Sequence, residues 1–563
     1  MYERVRSAKL KAELKELETT HSKEWSASLL DSPYEKGSHP FRGYFHLVYW
    51  LLRSELQLWG STLPSTQESL QIFVSICEAV VNDLQTVLKA LLSDDSKSSS
   101  SSSKSMNAVN PVVSKSKWLL IRLDVLETFH DRYEELRELC RPDIRHENNA
   151  SLALTAMRQS IVIACVEGID FLASYHLSEG FIIVEGKQKG SLQQQQQQQY
   201  EHVFDPTSCD LHPSTGNVMY CCQEILKYNS VYRRMRDLIN SINVSSLIPQ
   251  GKFMEVPQMI LNPTTIPVET DDFIMMVLEN LYSALDERAK KFDLSLKVKS
   301  LSRELNVRRT KLFEYDDKSS DDAIFTGRKH LFMANNLFCV LQHAREIISD
   351  KDNDSSSNNN NNSASSGNTV PNTTVPSASS SSTNTTTTTN PSMAIVVNTN
   401  HTKKRIGATN KRTKFIPFIK KIEDRLSIEI AGFCDVICTS MGLSDKDMSD
   451  FENRLQTEKI NSTTYCRLLK AKFSVFNTGM NSFLTQQGDW RIPSAGLREK
   501  ISTILTKSVS SSYSTFFEKY SVVKFSKKHQ DIYLRYPPQA VEKHIVSFFG
   551  RETFNYNLNP LKF

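Results

Sequence analysis

Apolar residues recur every three or four positions along most of the chain, which is the spacing of one face of an α-helix. Near the N-terminus such a face is formed by Phe45, Val48, Tyr49, Leu52 and Leu56. Later stretches repeat the spacing with Phe273, Val277, Leu281 and Leu285, and with Leu331, Ala334, Phe338 and Leu341. The alternating pattern of a strand occurs only around 180–185. The pattern therefore predicts an all-α protein.

The two helices nearest the C-terminus are predicted with definite ends. Pro493-Ser494 precedes a helix expected over Ala495–Tyr520, and its apolar face holds Ile501, Leu505, Val509, Tyr513, Phe516, Phe517 and Tyr520. A last helix is expected to start at Pro537-Pro538 and to stop at Gly550, because proline suits the first turn and glycine follows the last. Helices with one apolar face must bury it against one another, so we expect helical bundles.

Polar tracts divide the chain into blocks. They are Ser93–Lys117, which is serine-rich, the seven glutamines Gln193–Gln199, and an Asn/Ser/Thr tract from about Asp350 to Thr413. Such segments bury too little apolar surface to offset the entropy of ordering, so we predict disordered insertions. The predicted organisation is a short N-terminal segment (1–40), a first helical bundle with two of the insertions (41–200), a second bundle (209–349), a disordered linker (350–412) and a basic C-terminal bundle (413–563). We expect these bundles to lie in series.

Composition argues against several classes of protein. Glycine contributes only 18 of 563 residues, and the sequence contains no glycine-rich nucleotide loop, zinc-protease motif or serine-hydrolase motif. The ten cysteines include no C-x-x-C pair, which is typical of reduced thiols in a cytosolic protein. The longest apolar run is far shorter than the ~20 residues of a membrane-spanning helix, and no secretory signal is visible. We therefore expect a protein without catalytic activity or cofactor whose membrane contact is at most peripheral.

Positive charge is concentrated at the C-terminal end. The whole chain has a formal net charge of +5, whereas residues 500–563 hold ten Lys or Arg against four Asp or Glu. Lys524, Lys527 and Lys528 fall between the two predicted helices, and Arg535 follows between two tyrosines. A loop between helices displays charge outward, so this cluster predicts attraction to an anionic membrane surface. A solvated loop without a ligand is the alternative, and nucleic acid is a weaker one because no recognised fold accompanies the charge.

A second basic cluster, at 403–421, resembles a bipartite nuclear localisation signal. The same charges could equally keep the end of the linker and the start of the next helix soluble.

Several segments together resemble one known family. They are Lys472-Phe473-Ser474-Val475-Phe476-Asn477, Trp490-Arg491-Ile492-Pro493 and Tyr533-Leu534-Arg535-Tyr536 near the C-terminus, and Leu211-His212-Pro213-Ser214-Thr215 and Leu331-Phe332-Met333-Ala334-Asn335-Asn336 before them. Their content and order resemble the Exo-seventy family, the seventy-kilodalton subunit of the exocyst tethering complex. Setting the polar tracts aside, the resemblance runs from about residue 40 to 549.

The resemblance implies an elongated rod of stacked helical bundles that takes part in docking secretory vesicles at the plasma membrane. It also implies that the C-terminal domain binds phosphatidylinositol 4,5-bisphosphate on the inner face of that membrane, and that other exocyst subunits and Rho-family GTPases are partners. Arg535 matches the basic position between the family's two tyrosines. Ile532 stands where the family has a lysine, so we expect Lys527 and Lys528 to supply that charge, together with Lys524.

The N-terminus departs from the family pattern. The family begins with a coiled-coil segment and a further bundle, whereas about forty residues precede the first matching helix here, with a short helix expected at Ala8–Glu18. That difference keeps a second hypothesis open, namely a divergent helical scaffold that acts outside the exocyst, in the nucleus or on the cytoskeleton.

Overall fold

The structure is a computed structural model of the 563-residue chain. It describes residues 2–28, 34–62, 66–92, 111–141, 148–174, 209–241, 259, 262–307, 318–349, 411–457, 462–485, 490–526 and 529–550. Within these ranges the regular structure consists of α-helices with two short 3₁₀ turns, and no strand occurs in them. The predicted all-α fold is confirmed. The segment around 180–185 and the glutamine tract lie outside the described residues.

In the described part of the chain, nine helices precede the long polar linker. They are α1 (Tyr2–Ser28), α2 (Phe41–Thr62), α3 (Gln67–Leu92), α4 (Pro111–Cys140), α5 (Asn149–Ser174), α6 (Pro213–Leu226), α7 (Asn229–Ser241), α8 (Thr270–Val307) and α9 (Lys318–Ser349). Six described helices follow it, and they are α10 (Phe415–Ser440), α11 (Asp445–Thr457), α12 (Ser462–Thr485), α13 (Ala495–Tyr520), α14 (Gln530–Tyr533) and α15 (Pro538–Gly550).

The helices pack as bundles in series. Helix α1 lies against α2 and α3, and α4 and α5 pack together beside them. Helices α6, α7 and α8 pack onto α4 and α5, and α9 then joins this middle group to α10 and α13. At the far end α13 packs against α15. This order follows the chain, so the predicted stacking of successive bundles is confirmed.

The predicted apolar faces form the core. Phe45, Val48, Tyr49 and Leu52 of α2 are buried, whereas Leu56 is partly buried. Helix α13 has the predicted bounds, and six of its seven predicted core residues are buried, with Phe517 partly covered. Helix α15 ends at Gly550 as predicted.

Two helices differ from their predicted extents. Helix α1 covers Tyr2–Ser28 rather than Ala8–Glu18, and it buries Leu10 and Leu14 while Arg6 forms a salt bridge with the buried Glu55. Helix α4 begins at Pro111, inside the tract predicted to be disordered up to Lys117. A proline in the first turn followed by two valines is compatible with a helix start, and the serine-rich composition of the tract obscured it.

Two stretches, Asn149–Ala173 and Phe415–Gln456, are long and apolar enough to cross a membrane by composition alone. About half of each is buried against neighbouring helices, and a turn at residues 441–444 interrupts the second. Their apolar character is accounted for by the core that they form.

The interface between α9 and α10 contains a buried ionic network. Glu429 accepts a hydrogen bond from Arg425 Nε at 2.6 Å and pairs with His330 Nδ1 at 2.6 Å. Burial alone would raise the pKa of Glu429, but the hydrogen bond from His330 and the charge of Arg425 outweigh it and hold that pKa below its usual value. Gly432 lies directly against this histidine, because a Cβ there would come within 2.7 Å of the imidazole ring.

Candidate functional site: a basic loop at the C-terminal end

The predicted lipid-binding residues fall in the loop 521–537, which joins α13 to α15 and contains the one-turn helix α14. The loop is anchored by aromatic packing. Phe525 is buried, stacks on Phe473 of α12 with ring centroids 5.3 Å apart, and meets Tyr533 edge-on at 6.0 Å. One aromatic side chain in the first half of the loop therefore fastens it both to α12 and to its own second half.

Side-chain amides hold the loop backbone. Gln530 Nε2 donates to the carbonyl oxygens of Ser521 and Val523, both at 3.1 Å, which ties the start of α14 to the end of α13. Asn477 Nδ2 of α12 donates to the carbonyl oxygens of Ile532 and Tyr533, at 3.2 and 3.0 Å. These bonds satisfy backbone acceptors that a tight loop leaves without helical partners.

The end of the loop is fixed by tyrosines. The Tyr513 hydroxyl, buried in α13, donates to the Tyr536 carbonyl oxygen at 2.7 Å, and the Tyr536 hydroxyl donates to Asn481 Oδ1 at 2.6 Å. Tyr513 also stacks on Phe476 with centroids 3.7 Å apart. The two α12 phenylalanines and Asn477 of the Lys472–Asn477 motif thus build the platform on which the loop rests.

Two of the four predicted site residues can be located on this platform. Lys524 and Arg535 are both exposed, and neither forms an ion pair with any described residue. The Arg535 guanidinium lies 5.2 Å from the centroid of the Tyr536 ring, whose hydroxyl is fixed on α12. Lys527 and Lys528 lie outside the described residues, so their positions in the site stay a prediction.

Other basic residues nearby are already engaged. Lys519, in the last turn of α13, donates to Glu452 Oε1 at 2.9 Å, and this hydrogen bond raises its pKa. Lys472 is partly buried, and burial lowers the pKa of its ammonium group, which donates to the Asp447 carbonyl oxygen at 3.1 Å. These two lysines therefore serve the packing of α11, α12 and α13.

The second basic cluster is also partly used within the fold. Lys414 pairs with Asp272 at the start of α8, at 2.5 Å, and Lys421 lies 4.5 Å from the ring centroid of Tyr282. These contacts join the first turns of α10 to α8, so part of the cluster's charge is used within the protein, and the localisation signal stays a prediction. Residues 403–410 lie outside the described residues.

Three of the motifs that carry the family resemblance meet at one buried junction. Asn336 Oδ1 accepts from the His212 backbone N–H at 3.0 Å and from the Thr215 hydroxyl at 2.7 Å. Its neighbour Asn335 donates to the carbonyl oxygens of Cys209 and Arg491, at 2.6 and 2.9 Å. The two asparagines thus connect the start of α6 and the segment before α13 to α9. These motif residues are structural, because they join blocks that are far apart in sequence.

A cluster that sequence reasoning missed surrounds Asp124 of α4. The hydroxyls of Tyr34 and Tyr228 and the backbone N–H of Gly37 all donate to its carboxylate, the last two at 3.0 and 2.8 Å. Burial raises the pKa of Asp124, and perturbed carboxyls often mark functional sites. Here the carboxylate is enclosed by its own donors, so it joins α4 to the segment after α1 and to the turn between α6 and α7.

Among the described residues, no three His, Cys, Asp or Glu side chains lie close enough together to bind a metal ion.

Comparisons with known proteins point to the same end of the chain. Residues 440–547 match the family model of the C-terminal region of Exo70, a component of the exocyst complex. The chain also resembles the crystal structure of the S. cerevisiae exocyst component Exo70p, with 10% identity over 91% of this chain and 76% of that chain, at a TM-score of 0.27. A TM-score this low does not show a shared arrangement of helices. No curated protein matches the chain in a sequence comparison. The family match confirms the predicted resemblance over residues 440–547, a segment that contains α12, α13 and the basic loop.

Proposed function

We propose that this chain, whose residues 440–547 match the Exo70 C-terminal family model, is an exocyst subunit that docks secretory vesicles at the plasma membrane by binding phosphatidylinositol 4,5-bisphosphate through its basic C-terminal loop. The observation that carries the proposal is the pair of exposed cations, Lys524 and Arg535, on one anchored loop without acidic partners among the described residues. Lys527 and Lys528 lie between them in the sequence and complete the proposed site.

The magnitude suits reversible binding. Each Lys or Arg near an anionic leaflet contributes about 1 kcal/mol, so four of them provide roughly 4 kcal/mol of attraction that salt weakens. Because the loop is held by hydrogen bonds and aromatic packing before any ligand arrives, little further ordering is needed on binding. The remainder of the stacked helices would supply surfaces for other exocyst subunits and for a Rho-family GTPase, without catalysis, on the cytoplasmic face of the membrane.

The test is sedimentation with vesicles of phosphatidylcholine and phosphatidylserine, with and without phosphatidylinositol 4,5-bisphosphate. Wild type should bind best when that lipid is present. A variant carrying Lys527→Glu, Lys528→Glu and Arg535→Glu should lose most of the binding, because three attractive contacts become repulsive. Undiminished binding by this variant would contradict the site assignment.

A charge-matched control separates the loop from net charge. Lys89, Lys420 and Lys446 are exposed lysines on α3, α10 and α11 that form no ion pair among the described residues. Changing all three to Glu alters the net charge equally but leaves the loop intact. This control should bind vesicles nearly as well as wild type, and an equal loss in both variants would show that only overall charge matters.

Complex membership needs a separate measurement. We expect other exocyst subunits to co-purify with the tagged chain, and the loop variant should retain them because its changes fall between α13 and α15 in the sequence. A tagged chain that enriches no exocyst subunit would favour the divergent scaffold instead.

A further inference from the structure

The basic loop also exposes apolar side chains. Val522 is 81% exposed and Ile532 is 63% exposed, the two highest values for large hydrophobic residues in the part of the chain that the structure describes. Both lie within 521–537, Val522 before the short helix α14 and Ile532 inside it. Scattered exposed apolar residues are common on proteins. The two most exposed of these residues lie on one short loop, which is more specific evidence of a contact surface.

The backbone that carries these two residues is fixed. Gln530 donates to the carbonyl oxygens on both sides of Val522, namely those of Ser521 and Val523. Asn477 donates to the carbonyl oxygen of Ile532 itself. Turning either side chain inward would break these bonds, so the structure holds both side chains in water. A fixed backbone also lowers the entropy lost when the side chains enter another phase.

The chemical surroundings favour a bilayer over a protein surface. Lys524 follows Val522 by two residues and Arg535 follows Ile532 by three. Both cations are free of ion pairs within the described residues, and Asp531 is the one acidic side chain in the loop. Aromatic anchors are typical of protein interfaces, but the Phe525 and Tyr533 rings pack against each other. Aliphatic side chains bordered by cations match the boundary between anionic headgroups and acyl chains.

We propose that Val522 and Ile532 insert into the headgroup–acyl boundary of an anionic bilayer while Lys524 and Arg535 contact the phosphates above it. This inference rests on the proposed function and adds an apolar, salt-resistant component to it. The loop would then be held at the membrane by an electrostatic and an apolar contribution, and salt weakens only the electrostatic one.

The test compares a Val522→Ser, Ile532→Ser variant with a matched control, Val268→Ser, Ile428→Ser, whose side chains are 52% and 62% exposed elsewhere. Binding is measured by sedimentation with phosphatidylcholine–phosphatidylserine vesicles containing phosphatidylinositol 4,5-bisphosphate, over a series of salt concentrations. The loop variant should bind about tenfold more weakly at every salt concentration, with the salt dependence unchanged. The control should bind as wild type does.

A second readout reports insertion directly. Val522→Trp should show fluorescence that vesicles with brominated acyl chains quench, whereas Val268→Trp should show only the quenching of the native tryptophans. Equal quenching in the two variants would overturn the proposal even if the serine variant bound poorly.

The two proposals fail in different ways. If the charge-reversal variant loses binding and the serine variant does not, insertion is wrong and the electrostatic site stands. If neither variant changes vesicle binding, both are wrong. If the serine variant binds vesicles normally but no longer co-purifies with exocyst subunits, the apolar pair is a protein contact and insertion is overturned.

Discussion

Gly479 of α12 lies where a side chain has no room. A Cβ at this position would be 2.4 Å from the Ser440 carbonyl oxygen and 2.7 Å from the Met441 Cα, whereas ordinary contacts begin at 3.4 Å. Both obstacles are backbone atoms at the end of α10, where the chain turns through Gly442 with a φ of 66°. Gly479→Ala therefore requires the two segments to separate by about 1 Å in a close-packed interior.

The expected cost follows from two opposing terms. Overpacking a core costs about 1–3 kcal/mol, and more where backbone must move, while replacing glycine by alanine inside a helix gains about 1 kcal/mol. We expect a net destabilisation of about 2 kcal/mol, seen as a fall of roughly 4–8 °C in the thermal transition of the C-terminal helices. Circular dichroism and urea unfolding measure it.

Gly216 of α6 provides the matched control, because a Cβ there meets nothing within 4 Å. Gly216→Ala should leave stability unchanged or raise it by up to about 1 kcal/mol. Gly479 also lies between Asn477 and Asn481, which hold the basic loop, so Gly479→Ala should weaken vesicle binding as well. Equal stability of the two alanine variants would refute the steric argument.

Two further predictions concern the buried polar contacts of α9. Glu429→Gln should destabilise the protein by about 3 kcal/mol at neutral pH, because it removes the charged partner of His330 and leaves Arg425 with Asp286 alone. Since the pKa of Glu429 is held below its ordinary value, this stabilisation is present above about pH 4.5 and is lost as pH falls through the folded-state pKa. The difference in unfolding free energy between wild type and variant, measured by urea unfolding, should therefore disappear in acid. A difference that stays constant with pH would contradict the assignment. Asn336→Ala should lower the free energy of unfolding by about 2–3 kcal/mol, because it removes the acceptor of the His212 backbone N–H and of the Thr215 hydroxyl. An unchanged unfolding midpoint would show that these donors find other partners.

Helix content and apolar faces were predictable because their signals are local. Helix α13 was predicted from one repeating face and from the proline and serine before it, and the structure gives the same bounds. Helix α1 extends beyond its predicted bounds. Among its described side chains only Leu10 and Leu14 are fully buried, and Arg6 forms an ion pair with Glu55, 49 residues away. No local pattern records such a partner.

The polar junctions could not be predicted for the same reason. Asn336 bonds to residues more than 120 positions earlier, and Asn335 bonds to Arg491, 156 positions later. The sequence showed these residues as recognisable motifs without showing that the motifs meet. Exposure of Lys524 and Arg535 was predictable from their place between two helices, whereas the contacts of Gln530 that shape the loop were not.

The basic residues near the C-terminal end differ in ways that composition cannot distinguish. Lys472 and Lys519 are bonded within the bundle, so their charge is satisfied inside the protein. Lys524 and Arg535 extend from a loop whose backbone is secured by residues of the recognisable motifs, and their charge is available to an outside anion. Because attraction to a membrane would depend on available charge rather than total charge, Lys472 and Lys519 should add little to the proposed attraction, whereas Lys524 and Arg535 should add to it.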